Sequence, residues 1–244
     1  MGVEEGSAAG AEVLAKALGS SILGIALIPW GDSGATHRID LADGRRVAAR
    51  SIETGRREDA VRMARVMADA GRAGIPVPTP TVVDAAGATW FVTPWVEGEL
   101  GARWLDTSER ARTLATAMGG LHRAIRGIDP TLAPLAFVHG DFAPINVILA
   151  ADGSVAALLD FEHADVGDPL TDVAWWGWVV RHHHPDAWVA AWPTFCTAAG
   201  VDPVRDGPNL RALTLGGLSR RATAAINERE RGQWLERLAE ATAW

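Results

Sequence analysis

A single cysteine, Cys196, in 244 residues removes two architectures at once. One thiol closes no disulfide framework and builds no cysteine-based zinc site. That usage suits a reducing, cytoplasmic setting. Lysine is almost missing as well: Lys16 stands alone, and the basic residues are otherwise arginine within a net charge of −7. A nucleic-acid surface needs a concentrated basic face, and the chain shows none. Long apolar runs are also lacking. Ile22 to Pro29 is too short to span a bilayer and has neither a cationic lead nor a small-residue cleavage site, so export and membrane anchoring are not expected.

What is present is apolar content of 48%, enough to bury a core in one domain or two small lobes. Residues from Ile22 to Arg50 read as strands, punctuated by Gly31-Asp32-Ser33-Gly34 and Ala42-Asp43-Gly44. A helix is expected from about Arg56 to Ala73. The segment Ile75-Pro76-Val77-Pro78-Thr79-Pro80 cannot be helical and leads into strands at Thr81 to Asp84 and Trp90 to Thr93. Beyond Gly98 the pattern turns helical from Thr107 to Arg126. Short strands follow near Ile145 to Leu149 and Val155 to Leu159, joined by Ala151-Asp152-Gly153. From Pro169 the chain reads as helical, with breaks near Pro185, Pro193, Pro203 and Pro208. A mostly β first part and a mostly helical second part suggest two lobes, with the boundary near Glu97-Gly98.

The informative stretch is His139-Gly140-Asp141-Phe142-Ala143-Pro144-Ile145-Asn146, followed by Leu158-Leu159-Asp160-Phe161-Glu162. Phosphoryl transfer from a nucleotide needs one carboxylate to orient the acceptor hydroxyl and oxygen ligands to hold Mg²⁺ on the phosphates. Asp141 and Asn146 sit five residues apart on an expected tight loop, and a hairpin returns Asp160 beside it. Kinase catalytic loops space their Asp, their Asn and a second metal-binding Asp in this way.

These residues resemble the aminoglycoside phosphotransferase family, which shares its fold with protein kinases. The likeness extends to Leu121-His122 before the loop and to Gly167-Asp168-Pro169-Leu170-Thr171-Asp172-Val173-Ala174 after it. It implies an α+β, bilobal, kinase-like fold. Residues 1–97 would form a nucleotide-binding lobe, a small antiparallel sheet with one main helix. Residues 98–244 would form a larger, mostly helical lobe for catalysis and substrate binding. It further implies Asp141 as the catalytic base or acceptor-orienting group, Asn146 and Asp160 as Mg²⁺ ligands, and His139 as a support for the loop. Asp168 fits a helix cap ahead of Pro169.

In the first lobe, Ser33 and Gly34 lie where the family positions its nucleotide, although the same residues suit a plain hairpin turn. Arg50 stands where the family usually ends a strand with lysine. An arginine there keeps the charge and can fork onto phosphate oxygens. Glu58 is its expected partner, with Asp59 as the alternative; an acid favoured by the helix dipole explains Glu58 nearly as well. Thr93-Pro94-Trp95-Val96 resembles the lobe connector, and since Pro94 has no N–H, Trp95 or Val96 would donate to the base.

The resemblance points to an enzyme that moves the γ-phosphoryl of ATP or GTP to a hydroxyl of a small molecule, such as an aminoglycoside or another cationic antibiotic. Glu162 and Asp165, with Glu228 and Glu230, are candidates for an acidic surface that receives a cation. Alternatives are a metabolic kinase of an amino alcohol or sugar, a nucleotide-binding pseudokinase, and a metal-dependent hydrolase using His139, Asp141, Asp160 and His163. Only sixteen residues separate His122 from His139, where many family members carry a longer insertion that shapes the substrate site. Recognition would then fall to the C-terminal helices and the loop after Asp160. His182-His183-His184 has the look of a metal tract, but adjacent histidines seldom converge on one ion.

Overall fold

A computed structural model describes residues 13–28, 36–52, 55–85 and 87–243. The chain divides into two compact units, Met1–Glu97 and Gly98–Trp244.

In the first unit, alternation of apolar and polar residues produces a five-stranded antiparallel sheet in the order β1-β2-β3-β5-β4. Its strands are β1 (Ile22–Ile28), β2 (Thr36–Leu41), β3 (Arg46–Ile52), β4 (Thr81–Ala85) and β5 (Ala88–Pro94). Ile39, Leu41, Val47, Ala49 and Val92 bury in one cluster with Leu14 of the helical residues 13–18. The β2–β3 turn is set by Asp43, whose carboxylate accepts the Arg45 N–H at 3.0 Å, and by Gly44 at φ 86°. The strand period of two puts Arg50 on the opposite face from Val47 and Ala49, paired with Phe91 of β5. Helix α1 (Arg57–Arg72) buries Ala60, Met63, Met67 and Ala70, a stripe at helical spacing, and carries Glu58 and Asp59 in its first turn.

The second unit begins with β6 (Glu99–Leu100) and a 3₁₀ turn at Gly101–Leu105. Helix α2 (Ser108–Arg126) starts at Thr107, whose hydroxyl accepts the Arg110 N–H at 3.3 Å. Ala111, Leu114, Ala115, Met118, Leu121 and Ile125 run along its buried stripe. Two small sheets follow, β10-β7 and β6-β8-β9, built from β7 (Ala136–Val138), β8 (Val147–Leu149), β9 (Val155–Leu158) and β10 (Asp165–Gly167). The strand expected from Ile145 begins at Val147 instead, because Pro144–Asn146 forms a 3₁₀ turn. At the β8–β9 hairpin Asp152 is a turn former, accepting the Ser154 N–H at 2.9 Å.

The remaining elements are helices α3 (Leu170–His183), α4 (Pro185–Ala199), α5 (Gly207–Ala224) and α6 (Glu228–Thr242). Asp168 accepts the Leu170 N–H at 2.8 Å and so caps α3. Pro193 does not break α4. The carbonyl it deprives of a helical donor belongs to Val189, a residue 80% exposed, so water can satisfy it. The break between α5 and α6 has no proline or glycine to announce it. Asn227 caps α6 by accepting the Glu230 N–H at 2.9 Å, while the Glu230 carboxylate accepts the Ile226 N–H at 3.1 Å. Close helix packing depends on Gly119 of α2, where a Cβ would fall 2.6 Å from that of Ala198 on α4.

Candidate active site

The loop from His139 to Asn146 joins β7 to β8 and is fixed by buried groups. Asp172 of α3, 1% exposed, accepts the N–H of His139 at 2.8 Å and of Gly140 at 2.9 Å. Burial raises the Asp172 pKa above the usual carboxylate range, and the two N–H bonds oppose that rise. Gly140 has φ 78°, and any Cβ there would strike the His163 carbonyl. His122 is buried and bonds the Pro169 carbonyl through Nε2 at 2.9 Å, tying α2 to the start of α3.

His139 is completely buried, with Nε2 donating to the Leu159 carbonyl at 2.8 Å and Nδ1 accepting the Asp141 N–H at 3.3 Å. Those two bonds require the neutral imidazole, and burial lowers its pKa in the same direction. Both ring nitrogens are thereby used. This removes the hydrolase reading, which needed His139 as a metal ligand; His163, another ligand in that reading, lies exposed beside Glu162.

Asn146 reaches back across the loop, and its Nδ2 donates to both the Asp141 carbonyl and Asp141 Oδ2, each at 2.8 Å. With Nδ2 spent, Oδ1 is the ligating atom Asn146 has left. The Leu159 N–H donates to the Asn146 carbonyl at 2.8 Å, which holds the end of β9 against the loop and brings Asp160 to it. Asp160 has φ 60°, a left-handed conformation that Asp tolerates better than most residues. Its carboxylate contributes to the field around His139. An amide oxygen and a carboxylate are hard donors, the chemistry Mg²⁺ takes, and two protein ligands suffice where phosphates and water supply the rest.

One contact has no signal in the sequence. Arg221 of α5, 80 residues away along the chain, donates from Nη2 to Asp141 Oδ1 at 2.8 Å. Its guanidinium lies 3.6 Å from the centre of the Trp175 ring and 5.8 Å from that of Trp234. Burial lowers the Arg221 pKa, and the Asp141 charge pulls it back up, so the cation persists. Glu162 adds to the same field, while the Asp165 carboxylate turns back to accept the Val166 N–H at 2.8 Å. Asp165 stays on the exposed β10.

In the first unit, Ser33 and Gly34 fall outside the described residues. The Arg50 guanidinium lies 3.9 Å from Met63 Sδ on α1. Among the described residues no ion pair joins it to Glu58 or Asp59; Asp59 meets Arg56 at 2.9 Å, and Glu58 is exposed in the first turn. Trp95 donates its N–H to the Arg46 carbonyl at 2.9 Å, so of the two expected base donors Val96 is the one left for the role. The histidine tract serves packing: His182 stacks on Trp178 and meets Glu240 at 3.2 Å, and no cluster able to hold a metal through His, Cys, Asp or Glu alone occurs among the described residues.

A loop with Asp141 and Asn146 bonded to each other, and Asp160 returned beside it, is the arrangement of nucleotide-dependent phosphotransferases with a kinase-like fold. The profile of the phosphotransferase enzyme family matches residues 24–137 and 132–212, and the chain belongs to that family. It is a phosphotransferase. No curated protein sequence matches significantly. Among solved structures, the macrolide 2'-phosphotransferase MphH from Brachybacterium faecium is similar at 15% identity and a TM-score of 0.65, over 92% of this chain and 96% of that one. A thermostable mutant of the aminoglycoside phosphotransferase APH(4)-Ia is similar at 16% identity and a TM-score of 0.68, over 95% and 97%. The GDP and kanamycin complex of APH(2")-IIia is similar at 11% identity and a TM-score of 0.67, also over 95% and 97%. At these identities the likeness carries the fold alone.

Proposed function

We propose that this protein transfers the γ-phosphoryl of ATP or GTP to a hydroxyl of an antibiotic, an aminoglycoside or another cationic natural product, in the cytoplasm and with Mg²⁺. The observation that carries the reading is the Asp141 carboxylate, bonded to Asn146 within one loop and a quarter exposed. In this role Asp141 orients the acceptor hydroxyl and receives its proton as the phosphoryl group leaves the nucleotide. Asn146 Oδ1 and the Asp160 carboxylate would hold Mg²⁺, which supplies charge neutralisation on the phosphates. Arg50, Val96 and the residues Ser33 and Gly34 would bind the nucleotide, and Glu162 would face a cationic acceptor.

A thermal-shift screen of nucleotides and antibiotics with Mg²⁺, followed by mass analysis for an added phosphate, tests the proposal. The Asp141→Asn variant should keep its nucleotide affinity while losing most turnover. Near-normal turnover would remove Asp141 from the chemistry.

A further inference from the structure

The Asp141 carboxylate is gripped on both oxygens, and only one grip comes from its own loop. Oδ2 accepts from Asn146 and Oδ1 accepts from Arg221, each at 2.8 Å. An aspartate's terminal torsion is broad, so one bond leaves the carboxylate plane able to swing, whereas two bonds on different oxygens fix it. Each carboxylate oxygen can accept a further hydrogen bond. Oδ1 and Oδ2 thus remain able to receive an acceptor hydroxyl in a plane already set.

Arg221 is itself constrained. Its guanidinium stacks on Trp175 of α3 and lies near Trp234 of α6, and its side chain is 23% exposed. Leu218 and Ala222 beside it on α5 are buried, and Leu218 packs in one cluster with Trp175, Trp178 and Ala241. A rotamer-rich side chain held this way loses little freedom on engaging Asp141, because its position is built before the bond forms. Arg220, next in the chain, repels the guanidinium, and Glu162 attracts it along with Asp141.

We propose that Arg221 is a positioning residue for phosphoryl transfer: clamped by Trp175 and Trp234, it locks the Asp141 carboxylate in the orientation that receives the acceptor hydroxyl. The inference rests on the functional reading above. Helices α5 and α6, which carry Arg221 and Trp234, then tune the rate through Asp141. Misplacing a catalytic group lowers kcat on the order of 10- to 100-fold while leaving nucleotide binding alone.

The test uses the full chain with Arg221→Met, Arg221→Ala and Arg221→Lys. Methionine preserves packing against Trp175 without donors, and lysine preserves charge without the fork. With Mg²⁺ and ATP or GTP, and with kanamycin and a macrolide as acceptor probes, Arg221→Met should lower kcat by about 10-fold or more at a nucleotide KM within about twofold of wild type. Arg221→Lys should recover part of the loss, and added methylguanidinium should partly restore Arg221→Ala, which a merely structural role would not allow. An unchanged kcat in Arg221→Met, or an effect on KM alone, overturns the proposal. If wild type phosphorylates neither probe, the functional reading fails on that arm, and a crystal structure of Arg221→Met still decides this one. An Asp141 carboxylate rotated or split between orientations upholds the clamp; one left unchanged on Asn146 refutes it.

Discussion

Replacing Asp172 tests how the loop carrying Asp141 is held. Asp172 is 1% exposed and accepts the His139 and Gly140 N–H groups at 2.8 and 2.9 Å. Alanine would leave the buried His139 N–H unsatisfied, at about 1–3 kcal/mol, and the half-buried Gly140 N–H at less, or roughly 2–5 kcal/mol together. Part of that is returned, because burial disfavours the carboxylate charge that alanine removes. The net loss should be roughly 1–4 kcal/mol, which for a chain of this size lowers the melting temperature by about 2–4 °C per kcal/mol. Asparagine should do less damage, since its amide oxygen can accept one N–H while its NH₂ opposes the other. Thermal denaturation of both variants, with hydrogen exchange at Gly140 and Asp141, measures the effect. An Asp172→Ala protein that melts with wild type and keeps those amides protected would show that the loop is held by something else.

Asp160→Ala should weaken Mg²⁺-nucleotide binding more than Asn146→Ala, because it removes a charge as well as an oxygen; titration of nucleotide against Mg²⁺ checks this, and an unaltered Mg²⁺ dependence in Asp160→Ala would displace the metal from this site. Arg50→Ala should raise the nucleotide dissociation constant and Arg50→Lys should retain substantial affinity, whereas three equal values would rule out the phosphate role. The two buried histidines should cost stability in mild acid. His122 and His139 are both held neutral by burial, with folded pKa values lowered from the ordinary value near 6.5, so the unfolded chain binds more protons. Their contribution is therefore complete above pH ~6.5 and is lost as pH falls below it, whereas buried Asp172, with its pKa raised, contributes the opposite slope; melting curves between pH ~7.5 and ~5 should lose stability more steeply in Asp172→Asn than in wild type, and equal slopes would contradict this.

The sequence by itself determined the fold class, because period-two alternation around Ile39 to Ala49 and the helical stripe of α2 are local signals that survive in any context. It also brought Asp141, Asn146 and Asp160 together, since a tight loop and one hairpin place them within reach of each other without help from the rest of the chain. Helix ends in the last third were less legible. Pro193 is absorbed where the residue it deprives of a helical donor, Val189, is exposed, and the α5–α6 break rests on Asn227 and Glu230, a cap written in residues that also suit the polar outer face of an ordinary helix. The contact of Arg50 with Met63 was illegible for a different reason: side-chain direction is set by packing and not by spacing. The Trp95 N–H likewise depended on a strand-end bond to Arg46 that sequence does not mark. Only tertiary structure decided that Asp172 anchors the loop and that Arg221 grips Asp141. Those contacts join segments 32 to 80 residues apart, and they exist because α3 and α5 pack around the loop, a consequence of the whole core and of no motif within it.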